Sequence, residues 1–199
     1  MQSPALPRTR ANGRDNRGGI HLTLQGKGGV GKSLIASVLA QYFREHGRDV
    51  RCVDTDPVNR TLAQYSTLGA DRLNLRDEHN RIDQRAFDTL MERFLTEDGA
   101  TFVVDNGAST FLPLWHYLLE NSALDYLRQE GRRVYVHTVI TGGQALIDTL
   151  NGFNELAQTT QERNIVVWVN EYFGRVEATG RSSPRWPRTA TTQTRSAAL

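Results

Sequence analysis

A chain of 199 residues, 38% apolar and 23% charged, is long enough to bury one substantial core and short for two. It has no apolar run near the ~20 residues that span a bilayer and no apolar stretch at its N-terminus of the secretory kind. Its single cysteine, Cys52, excludes an intrachain disulfide, and the cytoplasm is the expected location.

The net charge of +2 is unevenly spread. Residues 1–19 carry four Arg and one Asp, and residues 178–199 carry four Arg and no acid, which leaves −5 for residues 20–177. Both ends are rich in Pro, Gly, Ser, Thr and Arg with little to bury, so they read as a disordered basic extension and a disordered basic tail. Their charge suits non-specific contact with nucleic-acid phosphates. The expected folded domain is 20–177.

Within it, apolar stretches alternate between two periods. "IHLTLQ" (20–25) reads as a strand, and "KSLIASVLAQYFREHG" (32–47) as a helix closed by Gly47. "DVRCVDTD" (49–56) is a strand ending on acids. Residues 59–75 read as a short helix and loop, and 82–99 as an amphipathic helix. "ATFVVDNGAS" (100–109) is a strand with an acid at its end, and 112–131 is helical. Two further strands, 132–140 and 164–173, flank a helix over 142–160. Five strands read as continuous apolar runs separated by helices. That pattern predicts an α/β fold of three layers, a mostly parallel sheet with helices on both faces.

The chemistry is concentrated between the first strand and the first helix. Of 24 basic residues only Lys27 and Lys32 are lysine, and both fall in "LQGKGGVGKSLIA". Gly26 to Ser33 fits G-x-x-x-x-G-K-[ST], with a strand before it and a helix after it. Glycines let successive N–H groups turn inward around phosphate oxygens, and the helix N-terminus adds partial positive charge. The phosphate cradle is expected over Gly26, Lys27, Gly28, Gly29, Val30, Gly31, Lys32, Ser33 and Leu34. Lys32 is expected on the β- and γ-phosphates of ATP and Ser33 on Mg²⁺. Asp105 ends an apolar strand on the same sheet edge, as an acid holding Mg²⁺ would. Asp54 and Asp56 stand at the end of another. His46, His79, His116 and His137 have no metal-ligand spacing, and Cys52 reads as a buried filler.

"KGGVGKS" resembles the deviant Walker A motif of the ParA/MinD ATPases. The resemblance implies that Lys27 touches phosphate on a partner subunit's nucleotide, so that ATP joins two copies and hydrolysis separates them. It also implies Asp54 near the metal, Asp56 positioning the attacking water, and Asn170 on the adenine. The implied catalytic set is Lys27, Lys32 and Asp56, with Ser33, Asp54 and Asp105 at the metal.

Longer stretches, "CVDTDPVN", "VVDNGASTFLPLWHYL", "VHTVITGGQALIDTL" and "VVWVNEYFG", are similar to the TraL conjugal transfer proteins of conjugative plasmids. That similarity implies an ATPase acting in conjugative DNA transfer, with other transfer proteins as partners. Partition ATPases carry Thr-Pro-Pro after the second acid, where this chain has Asn106-Gly107-Ala108. The change of composition after Glu177 reads as a truncation or frameshift. Other readings are a DNA-binding partition ATPase, a nucleotide-gated interaction module with little turnover, and a small-molecule kinase with an arginine-bearing lid.

Overall fold

The computed structural model describes residues 17–75, 77, 79, 83–159 and 164–177. The expected basic extension and tail lie outside them, except for Arg17, Gly18 and Gly19.

Six parallel strands form one sheet in the order β3-β2-β4-β1-β5-β6. The strands are β1 (Gly19–Thr23), β2 (Val50–Asp54), β3 (Asp71–Arg72), β4 (Thr101–Asp105), β5 (Arg133–Thr141) and β6 (Ile165–Asn170). Helices α1 (Lys32–Glu45), α2 (Gln84–Thr96), α3 (Phe111–Glu120), α4 (Ala123–Gln129) and α5 (Leu146–Thr159) make the outer layers.

Pleat alternation divides the core in two. Ile20, Leu22, Phe102, Val104, Val134 and Val136 face α2–α4, where Phe87, Phe94, Leu114, Trp115 and Leu127 are buried. Cys52, Val103 and Val139 face Ile35, Ala36, Leu39 and Ala40 of α1. Cys52 is thus the buried filler expected of it, and its thiol pKa is raised by burial. Gly47, at φ 72°, closes α1 as the sequence predicts.

Two expectations are corrected and one is refined. Residues 59–75 form two 3₁₀ turns and the two-residue edge strand β3, a sixth strand too short to show a period. The helical stretch 112–131 is resolved into two helices, broken at Asn121 and at Ser122, which has a left-handed φ of 50°. The outermost strand β6 is only partly covered, with Val166 and Val169 exposed, so it is not buried on both faces.

Register sets the site. Thr23 and Asp54 both pair with Asp105, so three polar strand ends lie side by side. β5 runs past β1, and its Thr141 pairs with Asn170 at the end of β6. Among the described residues no helix is long and apolar enough to cross a membrane.

Candidate nucleotide-binding site

The loop from Gln25 to Ser33 leaves β1 and enters α1. Gly29 and Gly31 have φ of 74° and 108°, the region that favours glycine. Gly31 is the N-cap of α1, and no side chain caps the first turn, so its N–H groups face the loop.

The loop is held from below by Gln25. This residue is fully buried, and its Nε2 donates to the carbonyls of Val139 and Thr149 at 2.9 and 3.0 Å. Its Oε1 accepts from the Gly26 N–H at 2.8 Å. One side chain thereby ties the start of the loop to β5 and to α5.

The two lysines have different surroundings. Lys32 is buried, and its Nζ donates to the Lys27 carbonyl at 2.8 Å, closing the loop on itself. Burial lowers its pKa, while the charges of Asp105 and Asp56 pull it back up. A phosphate oxygen bound here would add counter-charge beside this buried ammonium. Lys27 is half-exposed and pairs with Asp148 of α5 at 2.8 Å.

Asp105 is buried at the centre of the strand ends. One oxygen accepts from Thr23 Oγ1 at 3.2 Å, and the Ser33 side chain is near enough to lower the carboxyl's pKa. The other oxygen, Oδ2, has no hydrogen-bond partner. Burial pushes its pKa up to about 6, with Asp54 adding to the rise and Ser33, Thr23 and Lys32 opposing it. An ionised, buried carboxylate with a free oxygen beside a serine hydroxyl fits Mg²⁺, which takes one or two protein oxygens and completes its shell with water and phosphate. Among the described residues no group of three or more His, Cys, Asp or Glu is arranged as a metal cage.

The remaining predicted residues are built into turns. Both oxygens of buried Asp54 accept backbone N–H groups, from Asp56 at 3.0 Å and Ala63 at 2.9 Å. Asp56 Oδ1 accepts from the N–H groups of Val58 and Asn59, and Oδ2 from the Asn59 amide. Asn170 Nδ2 donates to the Val30 carbonyl at 2.9 Å and its Oδ1 accepts from Tyr172 N–H, so this Asn joins the end of β6 to the phosphate loop. Gly28 and Gly29 have open space about them. A cavity of about 530 Å³ borders Lys27, Gly29, Val30, Ala145 and Phe173, and another of about 570 Å³ borders Lys27, Phe111, Asp148 and Asn151. Leu34, on the first turn of α1, is exposed.

With this geometry in view, residues 22–180 match the CobQ/CobB/MinD/ParA nucleotide binding domain. Protein TraL of Escherichia coli is 49% identical over 165 residues, 82% of this chain and 67% of that protein. The chain belongs to the CobQ/CobB/MinD/ParA family, among the TraL proteins. A second Escherichia coli Protein TraL is 48% identical over 163 residues, 81% of this chain and 67% of its own length. The fold is similar to chloroplast FtsY of Physcomitrella patens at a TM-score of 0.52, with 16% identity over 77% of this chain and 50% of that one. This likeness shows the three-layer P-loop fold.

The matched family is a nucleotide-binding one, and the structure adds residues that sequence reasoning missed. Gln25 and Thr23 were not singled out, and Asn106 and Asp148 were read only as parts of longer stretches, with no role at the site. A polar residue continuing an apolar strand straight into a glycine loop was the available signal for Gln25. Nothing local marked the roles of the other three: Thr23 meets β4, Asn106 meets Thr55, and Asp148 meets Lys27.

Proposed function

We propose that this chain binds Mg·ATP, hydrolyses it in the cytoplasm, and uses the nucleotide to join two copies of itself in the service of conjugative plasmid transfer. The observation that carries the reading is a buried Lys32 at the helix end of the loop, within the electrostatic reach of an Asp105 that keeps one oxygen unsatisfied, while Lys27 stands half-exposed at the other end. The similarity to the TraL proteins supports the assignment to conjugation.

In this reading the loop N–H groups, from Gly26 to Leu34, and Lys32 Nζ bind the phosphates. Mg²⁺, held through Ser33 and Asp105 with Asp54 beside them, would supply positive charge at the γ-phosphate. Asp56 accepts a hydrogen bond from the attacking water and orients it. Lys27 leaves Asp148 for the nucleotide of a second copy. The pair it gives up is exposed and worth under about 1 kcal/mol, so the exchange is not resisted. Asn170 sets the loop from β6 and stands beside the base.

A second reading, a nucleotide-gated interaction module with little turnover, is favoured by one feature. All the hydrogen bonds of the Asp56 carboxylate go to its own turn, so it must rearrange before it can hold water.

Calorimetric titration with Mg·ATP, followed by phosphate release, separates these. We expect binding that Lys32→Ala weakens about 10–100-fold, the worth of charge-assisted hydrogen bonds, with slow release of phosphate. Binding without release supports the module, and no binding refutes both.

A further inference from the structure

The loops that follow β2 and β4 are stitched together. Thr55 N–H donates to the Asp105 carbonyl at 2.9 Å. The hydroxyls of Thr55 and Thr110 both donate to Asn106 Oδ1, at 2.9 and 3.0 Å, and Asn106 Nδ2 donates to the Gly107 carbonyl at 3.0 Å. Thr55, Asn106 and Thr110 are all buried, so these bonds are shielded from water.

This network sets Gly107 directly against Asp56. A Cβ at position 107 would stand 2.9 Å from Asp56 Cγ, 2.9 Å from its Oδ1 and 3.0 Å from its Cα. Gly107 has φ −65° and ψ 150°, angles any residue adopts. Glycine is needed here for the contact and not for the backbone. Asp56 has little room to retreat, because its own turn grips both carboxylate oxygens. Its charge is also felt at Lys32 of the phosphate loop.

We propose that Gly107 is a positioning residue for hydrolysis, setting the Asp56 carboxylate by direct contact and making the Asp54–Asp56 and Asp105–Ala108 loops move as one unit. Asn106 is the clasp of that unit. A change at the metal-binding end, Asp105, is then transmitted to the group that orients water. The inference rests on the ATPase reading given above.

The test is Gly107→Ala, compared with Asp56→Ala, the double variant, and Gly99→Ala as a glycine with open space around it. A displacement near 1 Å at a reacting group costs about 10–100-fold in rate. We expect kcat of Gly107→Ala to fall by that factor with ATP affinity changed less than about twofold, while Gly99→Ala matches the unaltered protein. In the double variant the loss should be no greater than in Asp56→Ala alone. A crystal structure of Gly107→Ala should show the Asp56 carboxylate displaced with Lys32 and Asp105 in place. If Gly107→Ala is unstable, Asp56→Ala should restore stability, since it removes two of the three atoms in collision. Unchanged kcat, additive losses, an unmoved Asp56, or no rescue would each overturn the proposal. Absence of turnover in the unaltered protein would refute the ATPase reading, and the crystal structure would still decide whether Gly107 sets Asp56.

Discussion

Replacing Asp105 by Asn should stabilise the nucleotide-free protein, although it removes a residue central to the site. The carboxyl has an ordinary pKa of 3.8 and is pushed up to about 6 by burial in the fold. Keeping it ionised above pH 6 therefore costs the folded state about 3 kcal/mol, at about 1.4 kcal/mol for each pH step between those values. The sign is fixed by proton binding. Between pH 3.8 and 6 the folded state holds the proton more tightly, so stability falls as pH rises and then stays level. Asn keeps an oxygen for Thr23, and its amide takes the place of an Oδ2 that already lacks a partner. Part of the gain is offset by that buried amide, leaving about 1–3 kcal/mol. Urea denaturation without nucleotide, at pH 7.5 and pH 4, measures it. The account predicts a higher midpoint for Asp105→Asn at pH 7.5, little difference at pH 4, and no added stability from Mg·ATP. A lower midpoint at pH 7.5, or a gain independent of pH, would refute the reasoning.

Acid should destabilise the fold through His21 and His137. Trp168 Nε1 can only donate, so His137 Nδ1 accepts at 3.1 Å, and His137 Nε2–H then donates to His21 Nδ1 at 2.9 Å. Burial and the neighbouring His137 and Arg133 lower the His21 pKa to about 3, and burial lowers that of His137 to about 4. Both are neutral when folded, so their contribution is complete above pH 6.5 and is lost below it, about 2 kcal/mol each at pH 5. His21→Phe/His137→Phe should flatten stability between pH 6.5 and 5, and an unchanged slope would count against the pair. Gly152→Ala should cost about 1–3 kcal/mol, because the new Cβ would lie 2.0 Å from Gln25 Oε1. Helix propensity alone predicts a gain, so a raised denaturation midpoint would show that Gln25 is not locked. Asn170→Ala should weaken ATP binding through the loop it supports, and unchanged affinity on titration would remove that role.

Much of this was legible in the chain. The phosphate loop declared itself because its determinants are local: glycines at fixed spacing, a strand before them and a helix after. Asp105 could be placed from the apolar run that precedes it. The parallel sheet followed from buried strands alternating with helices. What was hidden is non-local or too short to carry a period. The edge strand β3 has two residues and exists only through its pairing with Val53 and Asp54. The break between α3 and α4 falls at Ser122, with neither Gly nor Pro to announce it. His137 looked isolated and His21 went unremarked, because β1 and β5 are neighbours only in the folded sheet. Asp148 is 121 positions from the lysine it meets. Gly107 stood out in the sequence only as part of the departure from Thr-Pro-Pro, and its contact with Asp56 exists only in the fold.

The question raised by two lysines in one loop has a direct test. Light scattering gives the solution mass with Mg·ATP and with Mg·ADP, for the unaltered chain, Lys27→Ala and Asp56→Ala. The account predicts a dimer with Mg·ATP alone, abolished by Lys27→Ala and persisting in Asp56→Ala. A monomer under every condition, with nucleotide bound, would contradict it and leave Lys27 as the partner of Asp148 only.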